Sequence, residues 1–171
     1  MIGDKKTREQ LLEEISRLRK RIVDLERSES KLVRVEEELK NSEKRSRELC
    51  NLLPQTVFEI DTEGNLTYSN QNGFETFGYK QEDFKRGLNA YQMFIPEERT
   101  KLKNDIQRVL DEKNIGSIEY TALKKDGSTF PVVIFASPII HKNKLEGVRG
   151  IIIDITDLKK TEDDLKKSEE N

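Results

Sequence analysis

The sequence predicts an α+β fold: a five-stranded antiparallel sheet with short helices on one face, a long coiled-coil helix before it and a helix after it. Three observations predict it. Residues 5–50 contain neither Pro nor Gly and carry a heptad pattern. Between residues 56 and 155, two short β-rich runs, several short helical segments and three longer β-rich runs follow in order. The last of these, Gly150-Ile151-Ile152-Ile153-Asp154-Ile155, passes straight into the charged segment Leu158–Leu165 without a breaker.

Composition narrows the class. Of 171 residues, 37% are charged and 33% hydrophobic, too polar for a single globule, so part of the chain is extended. A net charge of -2 gives no field for nucleic acid. The chain has no membrane segment, because no apolar run approaches the ~20 residues a span needs, and no signal-peptide core opens it. One cysteine, Cys50, excludes an internal disulfide framework, and a reducing cytoplasm is the expected compartment. Trp is absent, which removes one aromatic partner for a flat cofactor.

In the first segment leucine recurs at Leu11, Leu18, Leu25, Leu32 and Leu39, with Ile15 and Ile22 four residues after the first two. Ile at a and Leu at d is the combination of a parallel two-stranded coiled coil. Glu14 would face Arg19 of a second copy, and Arg21 would face Glu26. Beyond Leu25 the a positions become Glu29, Glu36 and Glu43, and the seam loosens. A solvated single helix is the other reading. Either way a helix of this length spans roughly 70 Å.

Pro54 ends the long helix after Leu49, Leu52 and Leu53. Thr56–Asp61 and Leu66–Ser69 are strands joined by a turn at Gly64. Asn70 caps a short helix, Gln71–Phe77, which Gly78 stops, and Gln81–Lys85 forms another helical turn. Pro96 opens a longer helix, Glu97–Lys113, with the apolar stripe Leu102, Ile106, Val109 and Leu110. The strands Ser117–Leu123, Thr129–Ile140 and Leu145–Ile155 follow, reversing at Asp126-Gly127 and near Asn143. Thr156 is a candidate N-cap for the last helix. The domains are 1–51, 52–157 and 158–171.

The pattern L-x-x-x-E-x-x-L-K-x-S-E occurs at 32–43 and again at 158–169, on either side of the globular part. It fits an array of repeated units joined by helices, the chain then being a fragment of a longer protein. Chance likeness between two charged helices is the alternative.

An ordered set of short motifs carries a resemblance. It comprises Pro54, Phe58, Ile60-Asp61-x-x-Gly64, Asn70, Gly78-Tyr79-x-x-Glu82-Asp83, Pro96-Glu97-Glu98-Arg99, Lys125-Asp126-Gly127-Ser128-x-x-Pro131-Val132 and Asp154-Ile155-Thr156. Residues ~52–157 with these motifs resemble a PAS domain, the small sensor module of prokaryotic signalling proteins such as multi-PAS sensor histidine kinases. The resemblance implies a homodimer through the N-terminal coiled coil and an output kinase or further PAS domain elsewhere in the full-length chain. It makes Asp154, Ile155 and Thr156 a signal junction, expected to hydrogen-bond to the backbone where the incoming helix meets the first strand. Simple capping by Thr156 is the alternative.

No catalytic constellation is visible. The single histidine, His141, falls beside a turn, no phosphate loop is present, and neither helix carries a phosphoacceptor histidine. The chain itself is not expected to be an enzyme. Light-sensing relatives place a cysteine where this chain reads Asn89-Ala90-Tyr91-Gln92-Met93, so a covalent flavin is not expected. Haem-binding relatives ligate iron through a histidine on the long helix, and Glu97–Lys113 has none. No cofactor is required and no metal is implied. Cys50 is expected as a small buried apolar residue.

What remains is a pocket between sheet and helices, with room for an unidentified small molecule. Its candidate lining is Phe58, Ile60, Tyr68, Phe74, Phe77, Tyr79, Phe84, Met93, Phe94, Ile106, Tyr120, Val132, Ile134 and Ile152, with Tyr68, Tyr79 and Tyr120 as polar handles. A filled core making a ligand-free dimerisation or relay module is the competing reading. The other sheet face is also apolar, at Thr121, Leu123, Val133, Phe135, Ile151 and Ile153. The end of the long helix is expected to cover it.

Overall fold

The computed structural model describes residues 7–111 and 115–169. It divides into two compact units, Met1–Arg47 and Glu48–Asn171. One helix, α1 (Arg8–Leu52), supplies the first unit and ends in the second. None of its residues is buried, and the heptad positions are about half exposed, from Leu11 and Ile15 (47%) to Leu32 (68%). No helix among the described residues is long and apolar enough to cross a membrane.

The second unit holds the sheet: β1 (Thr56–Asp61), β2 (Leu66–Ser69), β3 (Ser117–Leu123), β4 (Thr129–His141) and β5 (Lys144–Asp154). All pairings are antiparallel and the spatial order is β2-β1-β5-β4-β3, so the last strand lies in the middle. Between β2 and β3 come α2 (Gln71–Phe77), α3 (Gln81–Lys85), two 3-10 turns (Ala90–Met93 and Pro96–Glu98) and α4 (Arg99–Leu110). The final helix is α5 (Thr156–Glu169).

Local chemistry explains the boundaries. Asn70 accepts from Gly73 N to cap α2, and Gly78 closes it at φ 73°. The long helix starts later than expected: Pro96–Glu98 forms a 3-10 turn whose Glu98 carboxylate accepts from Thr121 N at 2.6 Å. Its expected end at Lys113 lies outside the described residues. Lys142 and Asn143 both take positive φ (48° and 60°), as a two-residue hairpin turn needs. That extends the β4–β5 ladder to His141↔Lys144, beyond the expected ends at Ile140 and Leu145.

Register separates the two faces. Thr56, Phe58 and Ile60 of β1 share the inner face with Ile152, Gly150 and Val148 of β5 and with Ile134 and Ala136 of β4. Against them pack Phe77, Met93, Phe94, Leu102, Ile106 and Val109. On the outer face Val57, Ile151 and Phe135 form one row, and Ile153 and Val133 the next. The expected cover is not there: Leu49, Leu52 and Leu53 are 56%, 78% and 43% exposed. Hydrogen bonds direct the end of α1 to the start of α2 instead: Asn51 Oδ1 accepts from Gln71 N at 2.9 Å. Cys50 is half-buried rather than buried.

Gly150 sits where three strands and an aromatic ring converge. A Cβ there would lie 2.3 Å from the Phe135 carbonyl oxygen and 2.9 Å from the Phe58 ring. Gly150→Ala should lower the urea midpoint by the equivalent of about 2–3 kcal/mol with an unchanged slope. An unchanged midpoint would show that the sheet opens there at no cost.

Candidate functional site

The inner face of the sheet, α4 and the 3-10 turn Ala90–Met93 line a cavity of about 60 Å³. Of the side chains expected to line it, Phe58, Ile60, Met93, Phe94, Ile106, Tyr120, Ile134 and Ile152 do so. The others lie elsewhere. Phe77 and Val132 are fully buried in the core, Phe77 stacked edge-on against Phe130 at 5.3 Å. Phe74 meets Phe84 edge-on at 6.1 Å. Tyr79 lies beneath the Lys125 ammonium, 5.9 Å from its ring centre, and Tyr68 faces Glu59 across the β1–β2 pair. Helix α2 and α3 therefore form a second packing region, fastened by the Lys125–Asp83 ion pair at 2.7 Å. Lys125 holds the Asp83 carboxyl below its usual range, helped by the Lys80 N–H.

The expected polar handles reduce to one. Tyr120 Oη donates to Asp105 Oδ2 at 2.7 Å, and Arg108 donates to Asp105 Oδ1 at 3.0 Å. Burial, then the hydrogen bond to Asp105, pushes the Tyr120 phenol well above its ordinary range, so it stays a donor. Asp105 is 8% exposed and lines the cavity. Sequence reasoning missed it, although the signal was there: a lone carboxylate between Leu102 and Ile106 on the apolar stripe of α4.

Two hydroxyls complete the polar lining. Thr56, 3% exposed, donates to Asn72 Oδ1 at 3.3 Å, and Ser69 donates to the Asn70 carbonyl at 3.2 Å. The Ser69 bond leads to Asn70, 1% exposed, whose amide is saturated. Its Nδ2 donates to the carbonyls of Cys50 and Gln55, each at 2.9 Å. Its Oδ1 accepts from Val57 N at 3.0 Å and Gly73 N at 3.1 Å. The opposite amide orientation would set donor against donor at one end and acceptor against acceptor at the other. One side chain thus joins the last turn of α1, the start of β1 and the N-terminus of α2.

The bonds expected of Asp154 and Thr156 are made by Asn70 instead. Asp154 Oδ1 accepts from Thr156 N at 2.8 Å and from the Thr156 hydroxyl. Thr156 is the first residue of α5 rather than its cap, and Asp154 satisfies its N–H. Ile155, 6% exposed, donates its N–H to the Pro131 carbonyl at 3.1 Å. Lys159 of α5 reaches Glu119 on the outer face of β3 at 2.7 Å, and that carboxylate raises the Lys159 pKa.

Residues 54–157 match the family described as PAS domain. The chain belongs to the PAS family. A curated relative, Sporulation kinase A of Bacillus subtilis (strain 168), is 31% identical over 111 residues, 65% of this chain. The match spans only 18% of that kinase. Among solved structures, the PAS domain of a Colwellia psychrerythraea protein superposes with a TM-score of 0.61 at 20% identity, covering 67% of this chain and 97% of its own. That of an HTR-like protein from Haloarcula marismortui gives 0.59 at 18%, covering 71% and 98%. The chain is thus a PAS sensory domain related to those of sensor kinases, on a five-stranded α+β fold.

The Asp105–Tyr120 pair makes a stability prediction. Tyr120→Phe leaves a buried carboxylate oxygen without its partner, and should destabilise the PAS domain by about 1–3 kcal/mol in urea denaturation. A loss near zero would mean that water replaces the phenol freely.

Proposed function

We propose that this PAS domain is the sensory and signal-relay module of a cytoplasmic protein, a sensor histidine kinase in its full-length form. The chain works as a homodimer through α1. A small molecule in the pocket shifts the inner face of the sheet, Asn70 passes the shift to the end of α1, and Asp154-Ile155-Thr156 passes it to α5. No catalytic step belongs to the chain itself, and no flavin, haem or metal is required.

The observation that carries this reading is the path of contacts. Thr56 and Ser69 line the cavity, both bond to the Asn70–Asn72 segment, and Asn70 holds the carbonyl of Cys50 in α1. A ligand biases such a path only if it binds one arrangement better than the other. The exposed Leu and Ile stripe of α1 supports the dimer, since a helix presenting Leu11, Ile15, Leu18 and Ile22 to water gains by pairing. Kinship with Sporulation kinase A supports a kinase output. The small cavity favours a second reading, a ligand-free relay that keeps two chains in register.

Native mass spectrometry of the purified chain tests both parts. The expected result is a dimer that releases a stoichiometric small molecule on activation, and a monomer for Leu18→Asn with Leu25→Asn. A dimer without any bound mass points to the ligand-free relay. A double variant that stays dimeric would show that α1 is not the seam.

A further inference from the structure

The hydrogen-bonding balance of the cavity restricts what it can hold. Thr56 and Ser69 have their hydroxyl protons engaged by Asn72 and the Asn70 carbonyl, and Tyr120 gives its proton to Asp105. Asp105, ion-paired to Arg108, has only acceptor sites to offer. Every lining polar side chain therefore presents free lone pairs and no free hydrogen. The remaining wall is apolar, with Phe58, Ile106, Ile134 and Ile152 at its centre.

We propose that the pocket takes a small uncharged molecule of about three to five heavy atoms, an apolar body with one O–H or N–H donor that bonds to Asp105. The proposal rests on the sensory reading above and names its ligand class. Size sets the upper bound: at roughly 10–15 Å³ per water-sized site, about 60 Å³ has room for a few heavy atoms, whereas drug-sized ligands fill ~300 Å³ or more. Charge sets the rest. A carboxylate would meet only acceptors beside an existing negative charge. An ammonium would lose its hydration to face a carboxylate that Arg108 already neutralises.

The test uses the whole chain with labelled Ile and Leu methyl groups, titrated with 1-propanol, propionate and xenon. Xenon reports the apolar cavity itself. The expected result is that 1-propanol and xenon each move the methyl signals of Ile106, Ile134 and Ile152, while propionate moves none. Replacing both partners by apolar groups, Asp105→Leu with Tyr120→Phe, leaves no buried group unpaired and should keep the fold. It should weaken 1-propanol about tenfold, as loss of one hydrogen bond implies, and leave xenon binding in place. Xenon without 1-propanol, equal binding of propionate, or undiminished 1-propanol binding in the double variant overturns the donor-ligand proposal while the cavity stands. Silence towards all three probes overturns the ligand-sensing reading as well.

Discussion

A single buried amide holds the parts of this domain together. Asn70 uses both donors and both acceptor sites on four backbone groups from three elements. Those groups are a helix C-terminal carbonyl, a loop carbonyl, an N–H near the start of a strand and a helix N-terminal N–H, of which the Cys50 carbonyl also accepts from Leu53 N and Gly73 N also donates to the Asn70 carbonyl. Only an amide side chain matches the set, and Gln would carry it one methylene further out. Asp lacks the donors, Ser lacks the reach and the second donor, and an apolar side chain gives up all four bonds. The backbone adds a fifth tie, Asn70 N to the Val57 carbonyl at 3.0 Å.

The two helices therefore attach by different chemistry. The end of α1 is held by part-buried bonds from the buried Asn70 amide and by the exposed Asn51–Gln71 bond. The start of α5 is held by the exposed Asp154–Thr156 pair, the Ile155 anchor and an exposed Lys–Glu bridge of modest worth. Adjacent strands link the two attachments, since Thr56 of β1 pairs with Ile152 of β5. Thr56 and Ile152 also line the cavity. In the proposed relay, a change of volume in the cavity would act on both attachments through this pair of strands.

Most of the fold was legible because it rests on local signals. Alternation and turn residues placed all five strands to within one or two residues, and Asn70 and Gly78 bounded α2 as their chemistry predicts. The central position of β5 was not legible, because strand order is a tertiary property. The site was legible only in its apolar half. Asn70 announced itself as a cap, but its partners Cys50 and Gln55 lie 20 and 15 residues away, and no spacing rule links them. Asp105 was hidden by the stripe around it. Phe74, Tyr79 and Phe84 misled because an aromatic near a helix stop is apolar whichever cluster it joins. The junction motif drew attention to Asp154, whose bonds close on its own turn.

The central claim is that cavity volume is coupled to the end of α1 through Asn70. Amide hydrogen exchange over Cys50–Val57 tests it most directly, with Ala136→Val filling the cavity in place of a ligand. The account predicts that filling changes exchange across this segment, and that the change disappears when Asn70→Ala is added. No change on filling, or the same change without Asn70, would contradict it.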